Sequence, residues 1–456
     1  MTVAGSGTAA ARTGSAPAGG GRAASSKPSP EEWPAERPAA PDRGPRVGLA
    51  LAGGGPLGAI YEIGALCALQ ESLDGVDFND LSGYVGVSAG GFIAAGLANG
   101  MTPRQLCSAF IENDSPSQDL IRPQLFIRPA WGEFARRGAA LPGLFVQASL
   151  RFLFKRRALL SAFEMLGRAL PTGLLSPAPL EAQMRRVLSA PGRSNDFRTL
   201  KRKLVLVATD LDSGEAAPFG QPGWDRVPIS QAAAASAALP GLFPPVAIDG
   251  RWYVDGALKK TLHASVLLDM GLDLLFCLNP LVPFDARHDR HRVLGSGDPR
   301  IPQLVVGGLP VVLSQTFRSL IHSRLELGMK GYEGSHPGTD IELFEPDHRD
   351  PEMFLANTFG YAQRRALAEH AYQRTRADLR SRRSTLAPTL ARHGIRLNDA
   401  VLDDPLRTLV GRKQQRRTRA ARTLKRLDEV LNDLDAALKE RGASPKMSTP
   451  NARAAR

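Results

Sequence analysis

The sequence predicts an α/β domain with a mainly parallel sheet, and three observations lead there. Short apolar runs such as "RVGLALA" end in glycine-rich turns. The first two of those turns open directly into segments with helical spacing. Further strand-like runs follow at 203–211, 246–256 and 273–279, and strands alternating with helices are the pattern of a parallel sheet covered by helices.

Taken in order, residues 1–45 are rich in Ala, Gly, Ser and Pro without apolar periodicity and read as a disordered tail. "RVGLALAGGG" then reads as a buried strand entering a glycine turn. Ile60, Ile63, Leu66 and Leu69 follow at helical spacing. "GYVGVSAGGFIAAGLANG" repeats the design: a strand, a sharp turn at Ser88, a helix. Residues 141–170 mix bulky apolar side chains with Arg151, Lys155, Arg156, Arg157 and Arg168. They read either as an amphipathic element in a lipid interface or as a core helix with a solvated basic face. Residues 407–426 hold nine Lys or Arg and no acid, and Leu424, Leu427, Leu431, Leu434 and Leu438 then step by three and four. That spacing predicts a short amphipathic helix or coiled coil. No internal repeat is visible. The division expected is a tail (1–45), an enzymatic domain (46–375) and a basic helical extension (376–456).

The chain of 456 residues is 43% hydrophobic and 23% charged, ordinary values for a protein with a real core. Its net charge of +13 suits an anionic partner, a membrane surface or nucleic acid. No zinc-finger spacing or RNA-binding motif accompanies the basic run, which ranks nucleic acid low. Cys67, Cys107 and Cys277 are too few for a disulfide framework and suit a reducing compartment as small buried hydrophobes. No apolar run reaches the ~18 residues of a spanning helix, and no secretory signal pattern opens the chain. The expectation is a cytoplasmic protein, docked on the inner membrane face rather than passing through it.

Two readings of the first glycine turn compete. Gly53, Gly55 and Gly58 fit G-x-G-x-x-G after a strand, the dinucleotide fingerprint. That reading also wants a ribose-binding acid at the end of the second strand, where this chain has Gly86-Val87-Ser88. A P-loop is excluded more simply, because no Lys-Ser/Thr follows the glycines. The second strand supplies the better account. Gly86-Val87-Ser88-Ala89-Gly90 is G-x-S-x-G between a strand and a helix, the pattern of a nucleophile elbow. The amides of Gly53, Gly54 and Gly55 can then serve the oxyanion of a reacting ester, helped by a helix dipole.

A serine hydroxyl needs a base. None of the eight histidines sits at a clean strand end with turn glycines, and surface or capping roles are their default. Asp255 follows "RWYV" and precedes Gly256, and partial desolvation by Trp252 and Tyr253 would make it basic enough to take the serine proton. The other role for such a dipeptide is a plain Asp-Gly turn.

Together these residues resemble the patatin-like phospholipase family, in its bacterial branch. The match runs in order through Gly53-Gly54-Gly55-Pro56-Leu57-Gly58, Gly86-Val87-Ser88-Ala89-Gly90, "AASAALPGLFPPV" (234–246) and Asp255-Gly256-Ala257, within about residues 46–375. The resemblance implies a three-layer α/β/α fold and a Ser–Asp dyad, Ser88 as nucleophile and Asp255 as base. It implies an oxyanion hole at Gly53, Gly54 and Gly55, with no metal, no organic cofactor and no catalytic histidine. The implied activity is hydrolysis of fatty-acyl esters in lipids, often phospholipids, through an acyl-enzyme. One departure is Leu57, where the family commonly carries Arg or Lys; a milder one is Ala257 in place of Gly. The departure at Leu57 keeps open a weakly active or inactive lipid-binding module, and a Rossmann-type nucleotide-binding protein is the remaining alternative.

Overall fold

A computed structural model describes residues 44–115, 125, 128–154, 170–287, 303–354 and 363–410. The expected tail, all but its last two residues, lies outside them. So do the leucine ladder at 424–438 and the basic run beyond Val410.

Five parallel strands form the centre of the sheet, in the order β4 (Lys203–Asp210), β3 (Gly83–Val87), β1 (Val47–Leu51), β8 (Leu274–Leu278) and β9 (Asp340–Phe344). Strand β1 is buried at every residue, as a central parallel strand must be with helices on both faces. Its alternating side chains feed two cores. Leu49 and Leu51 enter one, with Ile63, Leu66 and Ile93. Ala50 enters the other, with Val85, Val205, Leu267 and Leu325. The result is a three-layer arrangement, with helices α1 (Gly55–Ser72) and α2 (Ala89–Ala98) on the first face.

The expected strand at 246–256 is a hairpin, β6 (Val246–Ile248) and β7 (Arg251–Asp255), turned by Asp249 and Gly250, both at positive φ. Strand β5 (Ala216–Phe219) pairs with β4, and the short β2 (Leu73–Asp74) pairs with β10 (Arg396–Leu397). The antiparallel edge makes the sheet mixed. Strand β4 offers one edge to β3 through Val207 and then, from Ala208 on, to β7. The stretch of β4 bonded to β5, from Leu206 to Thr209, overlaps both, so β5 must lie on the other edge.

Helix α3 (Trp131–Phe154) carries the start of the 141–170 segment, with Leu141 and Val146 exposed; the stretch 155–169 lies outside the described residues. Helices α4 (Ala178–Leu188) and α5 (Ile229–Ser236) cover the β4 side. Helix α6 (Gly308–Ser335) is mostly exposed and held through buried His322 and Leu325. With its preceding turn it is long and apolar enough, by length and composition, to cross a membrane. That corrects the expectation that no such run exists: Gln315, Thr316 and Arg318 interrupt the apolar stretch without outweighing it. Helix α7 (Arg364–Ser381) packs against α1, with the Tyr372 hydroxyl donating to Glu71 at 2.7 Å. It runs across the boundary expected at 375.

Candidate active site

Strand β3 ends at Val87 and α2 begins at Ala89, so Ser88 makes the whole turn alone. Its backbone takes φ 52° and ψ −122°, a region a non-glycine residue adopts only when its surroundings impose it. The surroundings are tight. A Cβ on Gly90 would lie 2.5 Å from the Ala52 carbonyl oxygen, and one on Gly86 would lie 2.6 Å from Gly91 Cα. The Ser88 amide donates to Ser236 Oγ at 2.9 Å, and that hydroxyl donates on to the Val207 carbonyl at 2.6 Å. Ser236 is fully buried and fastens the elbow to β4. It lies within the Ala-Ser segment quoted above, but nothing in the spacing marked it for this work.

Asp255 ends β7. Its amide donates to the Ala238 carbonyl, and its carbonyl accepts from Thr209. Its Oδ1 accepts from the Ala257 amide at 2.9 Å, so the turn role and the proton-accepting geometry coexist in one side chain. The other interaction of the carboxylate is with the Ser88 hydroxyl. Burial raises the Asp255 pKa to about 6; the hydrogen bonds from Ser88 and the Ala257 amide pull the other way and only partly offset it. The expectation that Trp252 desolvates this acid is corrected: Trp252 is 45% exposed and, three residues away on a strand, faces the opposite side. Tyr253 is buried and packs on Phe219. Gly256 is required by proximity, since a Cβ there would sit 2.1 Å from the Val207 carbonyl oxygen.

The glycine turn closes the site from the β1 side. A Cβ on Gly53 would come within 3.0 Å of Ser88 Cβ and 3.3 Å of Ala257 Cβ. The loop thus faces a serine where a dinucleotide site would place a ribose-binding acid, which argues against the dinucleotide reading. Among the described residues no backbone carbonyl accepts from the amides of Gly53, Gly54 or Gly55. Gly58 packs on Pro280 and donates back to the Gly54 carbonyl at 2.9 Å, which fixes the loop. Leu57 is buried.

Gly53, Gly54, Gly55, Ser88 and Asp255 all line one cavity of about 290 Å³. Its other walls are apolar, from Phe92, Leu180, Leu242, Phe243 and Leu281 among others, and α6 contributes Ser314, Phe317, Arg318 and Ile321. Arg318 is the one cation among the described residues lining it. Burial lowers its pKa to about 10, which leaves it charged at neutral pH; it donates to the Val282 carbonyl and lies over the Phe354 ring at 5.2 Å.

Two histidines depart from the surface default. His263 is buried beside the Asp255 turn, donates Nε2–H to the Gly256 carbonyl at 3.2 Å, and is kept neutral by burial, which lowers its pKa to about 4. His322 is buried on α6. No hydrogen bond joins either to Ser88 or Asp255 among the described residues.

Comparison with known proteins adds the following. Residues 49–268 match the family model of the patatin-like phospholipases. Among solved structures the chain is similar to VipD from Legionella pneumophila, with 17% identity and a TM-score of 0.31, over 72% of this chain and 67% of that one. It is also similar to ExoU of Pseudomonas aeruginosa, in a structure of its complex with SpcU. There the identity is 21% and the TM-score 0.24, over 44% of this chain and 39% of that one.

Proposed function

Residues 49–268 form a patatin-like phospholipase domain, and from that premise we propose that the protein is a lipid acyl hydrolase working through Ser88 and Asp255. The observation that carries this reading is that Ser88, on its strained elbow, and the buried Asp255 carboxylate, whose pKa is raised to about 6, line one cavity with the glycine turn. At neutral pH such a group is largely ionised yet basic enough to take a proton as the hydroxyl attacks an ester carbonyl. The uncommitted amides of Gly53, Gly54 and Gly55 stabilise the tetrahedral oxyanion, each donor contributing on the order of 3 kcal/mol. The alcohol or lysolipid leaves with the proton from Asp255. Water, activated by the same carboxylate, then releases the fatty acid.

The cavity suits the substrate class. Its apolar walls accept an acyl chain, and Arg318 offers a desolvated cation to a phosphate headgroup. The exposed apolar residues of α6, including Leu309, Leu313 and Leu320, border the cavity-lining residues of the same helix. They let the protein lie on a membrane with the cavity open to lipid, and the basic chain segments favour an anionic surface. Free, buried Cys67, Cys107 and Cys277 are consistent with work in a reducing compartment, on the cytoplasmic face. The same geometry speaks against a purely binding module, because raising a buried acid next to a strained serine destabilises the fold without aiding lipid binding.

The test is a panel of phospholipids and neutral esters given to wild type and Ser88→Ala, with mass-spectrometric detection of free fatty acid and lysolipid. Release by wild type and none by Ser88→Ala supports the reading. Equal release by both, or none by folded wild type on any lipid, overturns it.

A further inference from the structure

His322 on α6, with Glu345 and His348 in the loop after β9, brings two imidazole nitrogens and a carboxylate oxygen within 4.8 Å of one another. His322 is only 9% exposed, and its Nδ1 is buried without a hydrogen-bond partner, 4.0 Å from Glu345 Oε2. An unpaired buried ring nitrogen costs free energy that a ligand would recover.

Each neighbour is arranged as a metal site requires. Nε2 of His322 lies 3.4 Å from Glu326 Oε1, a neighbour that favours the ring proton on Nε2 and so leaves Nδ1 as the lone pair turned toward Glu345. His348 donates Nδ1–H to the Pro283 carbonyl at 3.1 Å, which leaves its Nε2 as a lone pair 3.9 Å from Glu345 Oε1. Asn279 donates to Glu345 Oε2 at 3.2 Å and orients the carboxylate. An outer partner thus orients the His348 ring, and the carboxylate is braced.

We propose that His322, Glu345 and His348 bind a zinc ion that clamps the α6 wall of the substrate cavity to the carboxyl edge of the sheet. Two nitrogens and one oxygen suit a borderline divalent ion such as zinc, whereas magnesium and calcium prefer oxygen alone. Zinc ligand bonds of about 2.0–2.2 Å bring the donor atoms to about 3.5 Å apart. His348, with its side chain 42% exposed, is free to make most of that closure. Water takes the remaining position. The clamp acts next to the chemistry, because His322 directly follows Ile321, which lines the cavity. The ion adds to what the family resemblance implied, which was no metal, and needs neither Ser88 nor Asp255 to be catalytic.

The experiment is zinc titration of the full chain, stripped with EDTA and freed of chelator, against a chromophoric competitor. Bound metal is counted by mass spectrometry, and the melting temperature is followed in parallel. Wild type and Ser88→Ala take up one tightly bound zinc and melt higher with it. His348→Gln and Glu345→Gln bind at least about tenfold more weakly and lose the melting shift. His370→Gln, in a separate cluster with Asp350 and Glu352, behaves as wild type. His348 is exposed enough that its replacement folds even if His322→Gln does not. Wild type that takes up no stoichiometric zinc, or equal zinc binding by wild type, His348→Gln and Glu345→Gln, overturns the proposal and leaves an ordinary histidine–carboxylate cluster.

Discussion

Asp255 pairs with Ala208 one position beyond the point where Val87, the neighbour of Ser88, pairs with Val207. Strand β4 is therefore the ruler that sets the serine and the carboxylate side by side, although 167 positions separate them. One edge of one strand carries the end of β3 and then the end of β7. The contact between the two side chains follows from that register.

The first prediction concerns pH. If Asp255 is the base, hydrolysis needs its ionised form. kcat/KM on a soluble ester should fall tenfold per pH unit below an apparent pKa of about 6 and level off above it. Asp255→Asn should lower kcat by at least about 10³ and abolish that limb. A histidine base would instead leave the limb in Asp255→Asn, and single replacement of His263 by Gln should retain most activity.

A second prediction follows from the same shift through stability. The folded pKa of about 6 lies above the ordinary carboxyl value, so between about pH 4 and 6 the folded state binds the proton that the unfolded chain has released. Wild-type stability should fall as pH rises through that window, by on the order of 2 kcal/mol from this one group. Asp255→Asn should lack that fall and melt higher than wild type at pH 7. Denaturant titrations at pH 4.5 and 7 would measure both.

Ser236→Ala removes the hydroxyl that receives the Ser88 amide and leaves that buried N–H without a partner. The expected cost is about 1–3 kcal/mol of stability, together with a lower kcat at little change in KM. Ser236→Thr, which keeps the hydroxyl, should recover part of both. Equal kcat in wild type and Ser236→Ala would show that the elbow needs no such support.

Gly53→Ala places a methyl 3.0 Å from Ser88 Cβ. Displacing the serine by a few tenths of an ångström should reduce kcat by about tenfold or more, with lipid binding intact. Vesicle co-sedimentation alongside kinetics separates the two effects.

Arg318→Gln should raise KM for an anionic phospholipid while sparing a small neutral ester, because the proposed role of the cation is toward the headgroup and not the reacting carbonyl. Leu309→Glu with Leu313→Glu should weaken association with anionic vesicles and leave soluble-ester hydrolysis unchanged. Loss of both activities together would assign α6 to the fold rather than to the membrane.

Much of the site could be read from residue order. Ser88 and the glycine turns announce themselves by type and spacing, because only glycine fits where backbone passes within 2.5 Å of an added Cβ. Strands β1, β3, β4 and β8 were legible as buried apolar runs. The β6–β7 hairpin was read as one strand, although Asp249-Gly250, both at positive φ, is the two-residue turn that joins hairpin strands. Strand β9 was missed although Asp340 and Glu342 alternate with apolar residues as in a half-buried edge strand; at five residues the run is short enough to pass for a loop. Ser236, Arg318 and the His322–Glu345–His348 cluster carry no spacing signal. Each acquires its role only when distant segments meet.

The central claim, a Ser88 hydroxyl activated by the Asp255 carboxylate, is met most directly by intact-mass and peptide mapping after a fluorophosphonate probe. One adduct per folded chain, on Ser88, formed far more slowly in Asp255→Asn and never in Ser88→Ala, is the result expected. Folded wild type that stays unlabelled, labels at another residue, or labels equally fast as Asp255→Asn contradicts it.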